Sequence, residues 1–180
     1  MNKEQTKRIS KLMSLALRHQ PSAIGITLDE EGWVLTQDLI DGVNKKGIRL
    51  NMEILKTVVS ENDKKRFTFN DDESKIRANQ GHSVDIDLKL EAVEPPDVLY
   101  HGTVSKFMKS IREKGLVKGS RQHVHLSHEK ETAIKVGSRR GVPTILVVNA
   151  KLMHDAGYQF YRSDNGVWLT DEVPARFIED

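Results

Sequence analysis

Arginine and histidine occur at two places in the first half of the sequence where a side chain could contact a ligand. Arg18 and His19 stand just before Pro21, where a predicted helix ends and holds its last side chains in a fixed frame. Arg77 lies where a strand pattern becomes the polar, glycine-containing segment 78–83. Both places also have an ordinary structural explanation, because basic residues stabilise helix C-termini and occur on surface strands.

A pair of arginines in the second half, Arg139 and Arg140, follows a predicted helix and lies between Gly137 and Gly141. Glycines let a backbone approach a ligand closely, which favours a binding role for this pair. Adjacent arginines are also common as solvated surface charges. The segment alone does not decide between the two.

Histidines occur in two segments of the second half, 100–103 and 123–127. In an extended strand His123 and His125 point to one side, while the apolar residues next to them face the core. Three histidines raise the question of zinc, but no carboxylate stands at a suitable spacing and the HExxH pattern is absent. A Ser–His–Asp hydrolase is also unsupported, since there is no G-x-S-x-G turn. We therefore expect no metal site.

The composition limits the chemistry further. The chain has 180 residues, 37% hydrophobic and 30% charged, with 28 Lys+Arg against 26 Asp+Glu and a formal net charge of +2. It can form one ample core or two small ones, which excludes a disordered tail, a coiled coil and a disulfide-stapled mini-domain. The absence of cysteine excludes thiolate catalysis and Cys-ligated metals. No apolar run reaches the roughly 18 residues of a membrane span, and no secretory signal pattern is present, so we expect a cytoplasmic protein.

Two consecutive prolines, Pro95 and Pro96, predict two domains, 1–94 and 95–180, because they stiffen the chain and end regular pairing. The first domain has 15 basic and 16 acidic residues, and the second has 13 and 10. Neither is the polybasic tail that is typical of bulk nucleic-acid or membrane binding.

The pattern of the first domain predicts three helices and a hairpin. Apolar residues at helical spacing mark one face of the first helix: Ile9, Leu12, Met13, Ala16 and Leu17. Further helices start after the N-caps Thr36 and Asn51, and segments 66–70 and 74–78 alternate as the two strands of a hairpin. This arrangement is typical of a winged helix, which often binds nucleic acid and also serves as a plain scaffold.

The second domain has more strands than helices. Its predicted strands are 98–100, 123–127 and 144–148 with a hairpin of 158–162 and 167–170, and its predicted helices are 106–114 and 129–136. The fold class is therefore α+β. A doubly wound dinucleotide-binding fold is excluded, because no Gly-rich strand-to-helix turn occurs.

Six motifs occur in order along essentially the whole chain: LRH at 17–19, IRANQGHS at 76–83, YHGT at 100–103, HVHLS at 123–127, VGSRRG at 136–141 and NGVWLT at 165–170. Any single motif would be weak. Together they strongly resemble the NAD-dependent RNA 2′-phosphotransferases of the KptA type. The resemblance implies a winged-helix RNA-binding lobe over 1–94 and an NAD-binding lobe of the ADP-ribosyltransferase fold over 95–180.

The activity that the resemblance implies has two steps. An internal 2′-phosphate of RNA attacks the anomeric carbon of the nicotinamide ribose of NAD+, which releases nicotinamide and leaves an RNA-2′-phospho-ADP-ribose adduct. The ribose 2-hydroxyl then attacks that phosphorus, giving RNA with a free 2′-hydroxyl and ADP-ribose 1″,2″-cyclic phosphate. NAD is consumed as a co-substrate and no metal is needed. The implied partner is 2′-phosphorylated RNA, with tRNA among the candidates, bound by a monomer.

The resemblance assigns a catalytic tetrad to Arg18, His19, Arg77 and Arg139. Arginine binds phosphate oxygens bidentately and keeps its proton, which suits a cage around an anionic nucleophile. Arg139 matches better than Arg140, which we expect to face elsewhere. Two roles stay open for His19, a cation that orients the phosphate or an acid toward the departing 2′-oxygen.

For NAD the resemblance indicates residues of two segments: Tyr100, His101, Gly102, Thr103, His123, His125 and Ser127. Gly102 is expected to let the main chain reach the carboxamide, because a Cβ there would obstruct the approach. The late acids Asp171 and Glu172 are expected to be structural, since a carboxylate would repel an anionic nucleophile.

Two other functions stay open beside this one. An ADP-ribosyltransferase that acts on terminal phosphates of nucleic acids would use the same fold. A non-catalytic, NAD-sensing winged-helix protein would also have two such lobes, but it would have no need for Arg18, Arg77 and Arg139 to act together.

Overall fold

The structure, a computed structural model, describes residues 2–180. Within this range the chain is a mixed α/β protein with six α-helices and four small antiparallel sheets. None of the described helices is both long and apolar enough to cross a membrane.

The chain divides into two compact units, the first ending at Lys89 and the second comprising Leu90–Asp180. The predicted boundary lay slightly later, between Glu94 and Pro95. The difference arises because Ala92, ahead of the prolines, already forms an antiparallel bridge with Tyr161 of the second unit.

The first unit has three helices and one three-stranded sheet with strand order β1-β3-β2. Its elements are α1 (Lys3–Arg18), β1 (Val34–Leu35), α2 (Thr36–Asn44), α3 (Met52–Ser60), β2 (Phe67–Phe69) and β3 (Lys75–Ala78), with a 3-10 helix at Pro21–Ile24. In the hairpin, Thr68 pairs with Arg77. The three predicted helices and the predicted hairpin are confirmed.

Helix α1 buries the predicted face. Asn2 and Gln5 form a reciprocal capping box at its start, with bonds of 2.8 and 3.1 Å, which satisfies amides that have no partner within the helix. Four of the five predicted residues are buried in the core and Leu12 is half-buried. The helix ends at Arg18, because the chain then turns toward Pro21.

Helix α2 begins differently from the prediction. Thr36 is its first helical residue rather than its N-cap, and Leu35 takes the cap position without a side-chain bond. The Thr36 hydroxyl instead donates to the carbonyl of Glu73 at 2.8 Å, which ties α2 to the hairpin turn. The predicted cap of α3 is confirmed, since Asn51 Oδ1 accepts from the amide of Ile54 at 2.8 Å.

The second unit has three helices and three small sheets of orders β11-β7-β4, β6-β9-β8 and β10-β5. Its elements are β4 (Leu99–Val104), α4 (Met108–Lys114), β5 (Leu116–Val117), β6 (Val124–Leu126), α5 (Lys130–Gly137), β7 (Pro143–Val148), α6 (Ala150–Asp155), β8 (Phe160–Arg162), β9 (Trp168–Thr170), β10 (Glu172–Val173) and β11 (Ile178–Glu179). A separate apolar core lies inside this unit.

The predicted strands and helices of the second unit are confirmed with shifted ends. Strand β4 continues to Val104 because β7 pairs with it along its whole length, from Leu99 with Val148 to Val104 with Pro143. Helix α6 and strands β5, β10 and β11 were not predicted. They have six residues and two residues each, which is too short for a periodic pattern to show.

Candidate functional site

The end of helix α1 carries Arg18 and His19 and is held by a segment distant in the sequence. The amides of Ser83 and Val84 donate to the carbonyl of Arg18 at 2.8 and 3.3 Å. The Ser83 hydroxyl also contacts Nδ1 of His19 at 2.8 Å. Backbone amides of a distant segment therefore satisfy the carbonyl of Arg18, one of those left without a partner at a helix end.

Arg77 is positioned by its strand and by the turn before β1. Its place on β3, opposite Thr68, fixes its backbone. Its guanidinium lies 4.4 Å from the ring centroid of Trp33, and Nη1 donates to the carbonyl of Glu31 at 3.3 Å. A cation–π contact and a hydrogen bond together hold the planar fork in one orientation.

His82 lies between these two groups. Its side chain is 1% exposed, and neither ring nitrogen has a hydrogen-bond partner among residues 2–180. Burial, followed by the positive charges of Arg18, Arg77 and His19, lowers the pKa of His82 to about 3. The ring is therefore neutral at pH 7. The charges of all three groups act on this one buried imidazole, so all three lie near it.

The turn beside His82 requires a glycine. Gly32 has φ +84°, and a Cβ there would lie 2.9 Å from Ile86 Cδ1 and 3.5 Å from Nε2 of His82. Asp29 Oδ1 accepts from the amides of Glu31 and Trp33 and so closes the same turn. Trp33 and the separate importance of His82 were not predicted from the sequence, because neither has a local pattern that distinguishes it from a core residue.

Two predicted segments of the second unit meet at one backbone bridge. The amides of Tyr100 and Ser127 each donate to the other's carbonyl at 2.8 Å. The Nδ1–H of His101 donates to the carbonyl of His125 at 2.9 Å, because a carbonyl can only accept. Burial lowers the pKa of His101, and Arg140 lowers it further. Neutral His101 therefore presents the lone pair of Nε2.

Gly102 is required by the packing of helix α5, in addition to the role that the sequence predicts for it. A Cβ at this position would lie 1.8 Å from Ala133 O and 2.9 Å from Gly137 N. The glycine thus allows α5 to pack directly on β4. This contact fixes the 3-10 helix Ser138–Arg140, which follows α5.

The backbone of Gly102 nevertheless lies at a strand edge. Both polar groups of Tyr100 point to Ser127, and backbone direction repeats every two residues along a strand. The amide and carbonyl of Gly102 therefore point to the same side of β4 as those of Tyr100, two residues past the single bridge between Tyr100 and Ser127. A ligand carboxamide could pair with both groups as a further strand would. Thr103, the next residue, is buried.

Arg140 lies in the same part of the second unit as His101. It acts on the pKa of His101, and its guanidinium lies 5.7 Å from the ring centroid of Phe107. Arg121, which the sequence analysis missed, donates from Nη1 to Nδ1 of His125 at 3.3 Å. Burial and the charge of Arg140 lower the pKa of Arg121. Two arginines and two histidines therefore lie close together in this unit.

Two further predicted residues of the second unit are His123 and Arg139. His123 is half-buried, packs on Tyr161 at 5.5 Å between ring centroids and has Nε2 4.0 Å from Asp171 Oδ1. Burial lowers the pKa of His123, whereas Asp171 raises it. Arg139 is exposed on the 3-10 helix after α5. Within residues 2–180 no cluster of three or more histidines and acids is placed to hold a metal ion.

The first unit thus has an arginine and histidine cluster, and the second has hydrogen-bonding groups at a strand edge beside two arginines. Grouped arginine and histidine side chains are typical of the class of proteins that bind phosphorylated ligands. The chain belongs to the family described as RNA 2′-phosphotransferase, Tpt1 / KptA family, whose pattern matches residues 4–172.

Three relatives show the extent of the similarity, and each has the name "Probable RNA 2′-phosphotransferase". The protein from Flavobacterium johnsoniae is 58% identical over 99% of this chain and 98% of its own. The protein from Acaryochloris marina is 53% identical, with 97% of both chains covered. The protein from Burkholderia pseudomallei is also 53% identical, over 96% of this chain and 94% of its own. The similarity therefore includes both units.

Proposed function

We propose that this protein removes an internal 2′-phosphate from RNA by transferring it to NAD+. The observation that carries the proposal is the placement of Arg18, His19 and Arg77 near the buried His82, in a chain of the RNA 2′-phosphotransferase family. The neighbouring Ser83 holds the end of α1, and Trp33 and Glu31 hold Arg77. The fold assignment belongs to the same proposal, with a winged-helix RNA lobe as the first unit and a lobe of the ADP-ribosyltransferase type as the second.

In the proposed first step the RNA 2′-phosphate attacks the anomeric carbon of the nicotinamide ribose, and the bond to nicotinamide breaks. A phosphate monoester is already charged about −1.5 to −2 at pH 7, so it needs no general base. It needs donors that hold it in line with the carbon. The guanidinium of Arg77, fixed over Trp33, is suited to this because its orientation is set before the substrate binds.

In the proposed second step the ribose 2-hydroxyl attacks the phosphorus and the RNA 2′-oxygen departs with a proton. Negative charge grows on the phosphoryl oxygens, and preorganised cations there lower the barrier by about 3 kcal/mol for each donor. We assign this role to Arg18, Arg77 and Arg139. His19, held by Ser83 at 2.8 Å, acts as a cation or as the acid that protonates the departing oxygen.

The residues of the second unit fit NAD+ as co-substrate. Its ribose–nicotinamide bond supplies the electrophilic carbon. The edge groups of Gly102 suit the carboxamide, and the Nε2 lone pair of His101, set by its bond to His125 O, suits a ribose hydroxyl. Arg121 and Arg140 are the charges suited to its diphosphate. Tyr100 and Ser127 hold the two strands together at this place.

The test is product analysis with oligonucleotides that differ only in the position of one phosphate. NAD+ and RNA with an internal 2′-phosphate are expected to give nicotinamide, 2′-hydroxyl RNA and ADP-ribose 1″,2″-cyclic phosphate by mass spectrometry. The same RNA with a phosphate only at its 5′ end is the control. ADP-ribosylation of the end-phosphorylated RNA alone would support the terminal-phosphate function, and no reaction with either would support a binding protein.

A single variant tests which step the arginines serve. Arg77→Ala is expected to accumulate labelled RNA-2′-phospho-ADP-ribose, because the loss of a phosphoryl cation slows the second step most, by about 10²-fold or more. A variant that releases no nicotinamide would refute this assignment, because it would show that Arg77 is needed mainly in the first step.

A further inference from the structure

Helix α1 has a polar stripe that ends at Arg18. An α-helix has 3.6 residues per turn, so residues three and four positions apart lie on one face. The stripe consists of Lys7, Ser10, Lys11, Ser14 and Arg18. The buried residues of α1 lie on the other side. Lys7 and Lys11 are exposed, and Ser10 and Ser14 are half-buried. The stripe therefore forms a cationic, hydroxyl-bearing surface that leads along the helix to the candidate phosphate site.

One amide side chain joins this stripe to the start of β2. Asn62 Nδ2 donates to Ser10 Oγ at 3.2 Å, and Asn62 Oδ1 accepts from the amide of Arg66 at 3.2 Å. Asn62 thereby holds the backbone of Arg66 beside α1, because one of its two bonds goes to Arg66 and the other to Ser10 of the helix. The adjacent carbonyl of Lys65 accepts from the side chain of the buried Asn79, which holds the turn from the other side.

Arg66 also lies on the same face of the hairpin as Arg77. The register pairs Thr68 with Arg77, and the amide of Asn79 donates to the carbonyl of Arg66 at 2.9 Å. Because side chains alternate along a strand, Arg66 and Thr68 project to the side of Arg77 and Asn79. The intervening Phe67 packs into the core. Arg66 is therefore the next cation along this face from Arg77.

The three cations have no acidic partner. Neither Lys7 nor Lys11 nor the guanidinium of Arg66 forms an ion pair or side-chain hydrogen bond with any residue between 2 and 180. We call Lys7, Lys11 and Arg66, together with the terminal Arg18, the cationic track. From Arg18 back to Lys7 the helix rises about 16 Å, which matches a few nucleotides of an extended strand.

We propose that the RNA next to the 2′-phosphorylated nucleotide binds along the cationic track, with its phosphodiester groups on Lys7, Lys11 and Arg66. The inference rests on the proposed function, since that function puts the 2′-phosphate at Arg18. The track would then bind the backbone without reading its sequence, because it offers only the ammonium groups of two lysines and the guanidinium groups of two arginines. It would also make longer RNA a better substrate than the isolated nucleotide.

The test compares two substrates and two matched triple variants. The substrates are a dinucleotide and a decamer, each with one internal 2′-phosphate. Lys7→Gln/Lys11→Gln/Arg66→Gln is expected to lower kcat/KM for the decamer at least tenfold more than for the dinucleotide. The control removes the same charge from the exposed turn between α2 and α3: Lys45→Gln/Lys46→Gln/Arg49→Gln. It is expected to show no such difference.

Salt dependence gives a second readout that does not need turnover. Binding of the 2′-phosphorylated decamer is followed by fluorescence anisotropy at salt concentrations from about 50 to about 200 mM NaCl. Over this range the loss of phosphate contacts changes the affinity measurably. Each contact with a single strand contributes about 0.7 to the slope of log Kd against log salt, so loss of the track is expected to reduce the slope by about 2.

The outcomes separate the inference from the proposed function. Equal losses of kcat/KM on the two substrates, or an unchanged salt slope, would overturn the proposal that RNA binds along the cationic track. The proposed phosphotransfer would not be affected. A wild-type protein that forms no product from either substrate would overturn the proposed function, while the anisotropy slope would still decide whether RNA binds to these three side chains.

Discussion

His82 shows how one buried side chain reports on the charges around it. A neutral imidazole without partners is costly to bury, and it lies where Arg18, Arg77 and His19 all raise the cost of protonation. The neutral ring therefore adds no charge of its own near these three donors. Sequence reasoning could place His82 only within the motif at 76–83, because burial and neutrality depend on residues distant along the chain.

We predict that His82 makes the first unit acid-sensitive. Its pKa is about 3 in the folded chain and about 6.5 when unfolded, so between these values the unfolded state binds more protons and stability falls as the pH falls. From pH 7 to pH 5 the free energy of unfolding is expected to fall by about 2 kcal/mol more in the parent than in His82→Gln. Urea unfolding is followed through Trp33 in a Trp168→Phe background.

This arrangement uses the two tryptophans, which lie one in each unit. Both proteins carry the Trp168→Phe change, so they differ only at His82. A His82 resonance in the NMR spectrum that titrates near pH 6 would contradict the prediction, as would equal pH slopes for the two proteins.

At the scale of elements, the contact of β4 with α5 positions the strand edge and the segment that carries Arg139 and Arg140. Gly102 and Gly137 lie on opposite sides of this contact. A Cβ on Gly102 would meet the backbone of Ala133, and a Cβ on Gly137 would lie 2.9 Å from the carbonyl of Thr103. Neither clash is with a side-chain end that could rotate away.

We predict that Gly102→Ala destabilises the second unit by about 3 kcal/mol, because the helix must move off the strand. Unfolding is followed through Trp168, which is buried in this unit, in a Trp33→Phe background. The same substitution in a Trp168→Phe background is the control, since Trp33 reports on the first unit and its transition should not move. An unchanged Trp168 transition would mean that the close approach at Gly102 is not essential.

The elements also show what the sequence could and could not reveal. Helix α1, helix α3 and the hairpin of the first unit have amphipathic spacing, a capping residue or a turn, and all were predicted. The predicted N-cap of α2 was wrong because the Thr36 hydroxyl donates instead to the carbonyl of Glu73, in the turn of the hairpin. The position of Arg140 beside Phe107, from which its charge acts on His101, was not predicted because both interactions are tertiary. Local patterns define elements, whereas site geometry depends on contacts between them.

For the whole molecule, the net charge of +2 conceals an uneven distribution. The cationic track and the cluster at Arg77 lie in the first unit, whose acids on the turns at 29–31 and 71–73 balance them in the total. Long-range attraction of RNA is therefore weak at physiological salt, where charges are screened beyond about 8 Å. Recognition would depend on short-range contacts at defined side chains.

At this scale the proposed reaction makes a further demand, because Arg77 belongs to the first unit and Arg139 to the second. If both act on one phosphate within a single chain, Arg77→Ala and Arg139→Ala each lower turnover by about 10²-fold or more. An equimolar mixture of the two variants is then expected to show only their mean activity.

Mixtures of wild type with each variant, assayed at the same total protein, give the linear dilution that serves as control. Recovery well above the mean would show that the two arginines can be supplied by different chains, and it would contradict a monomeric enzyme.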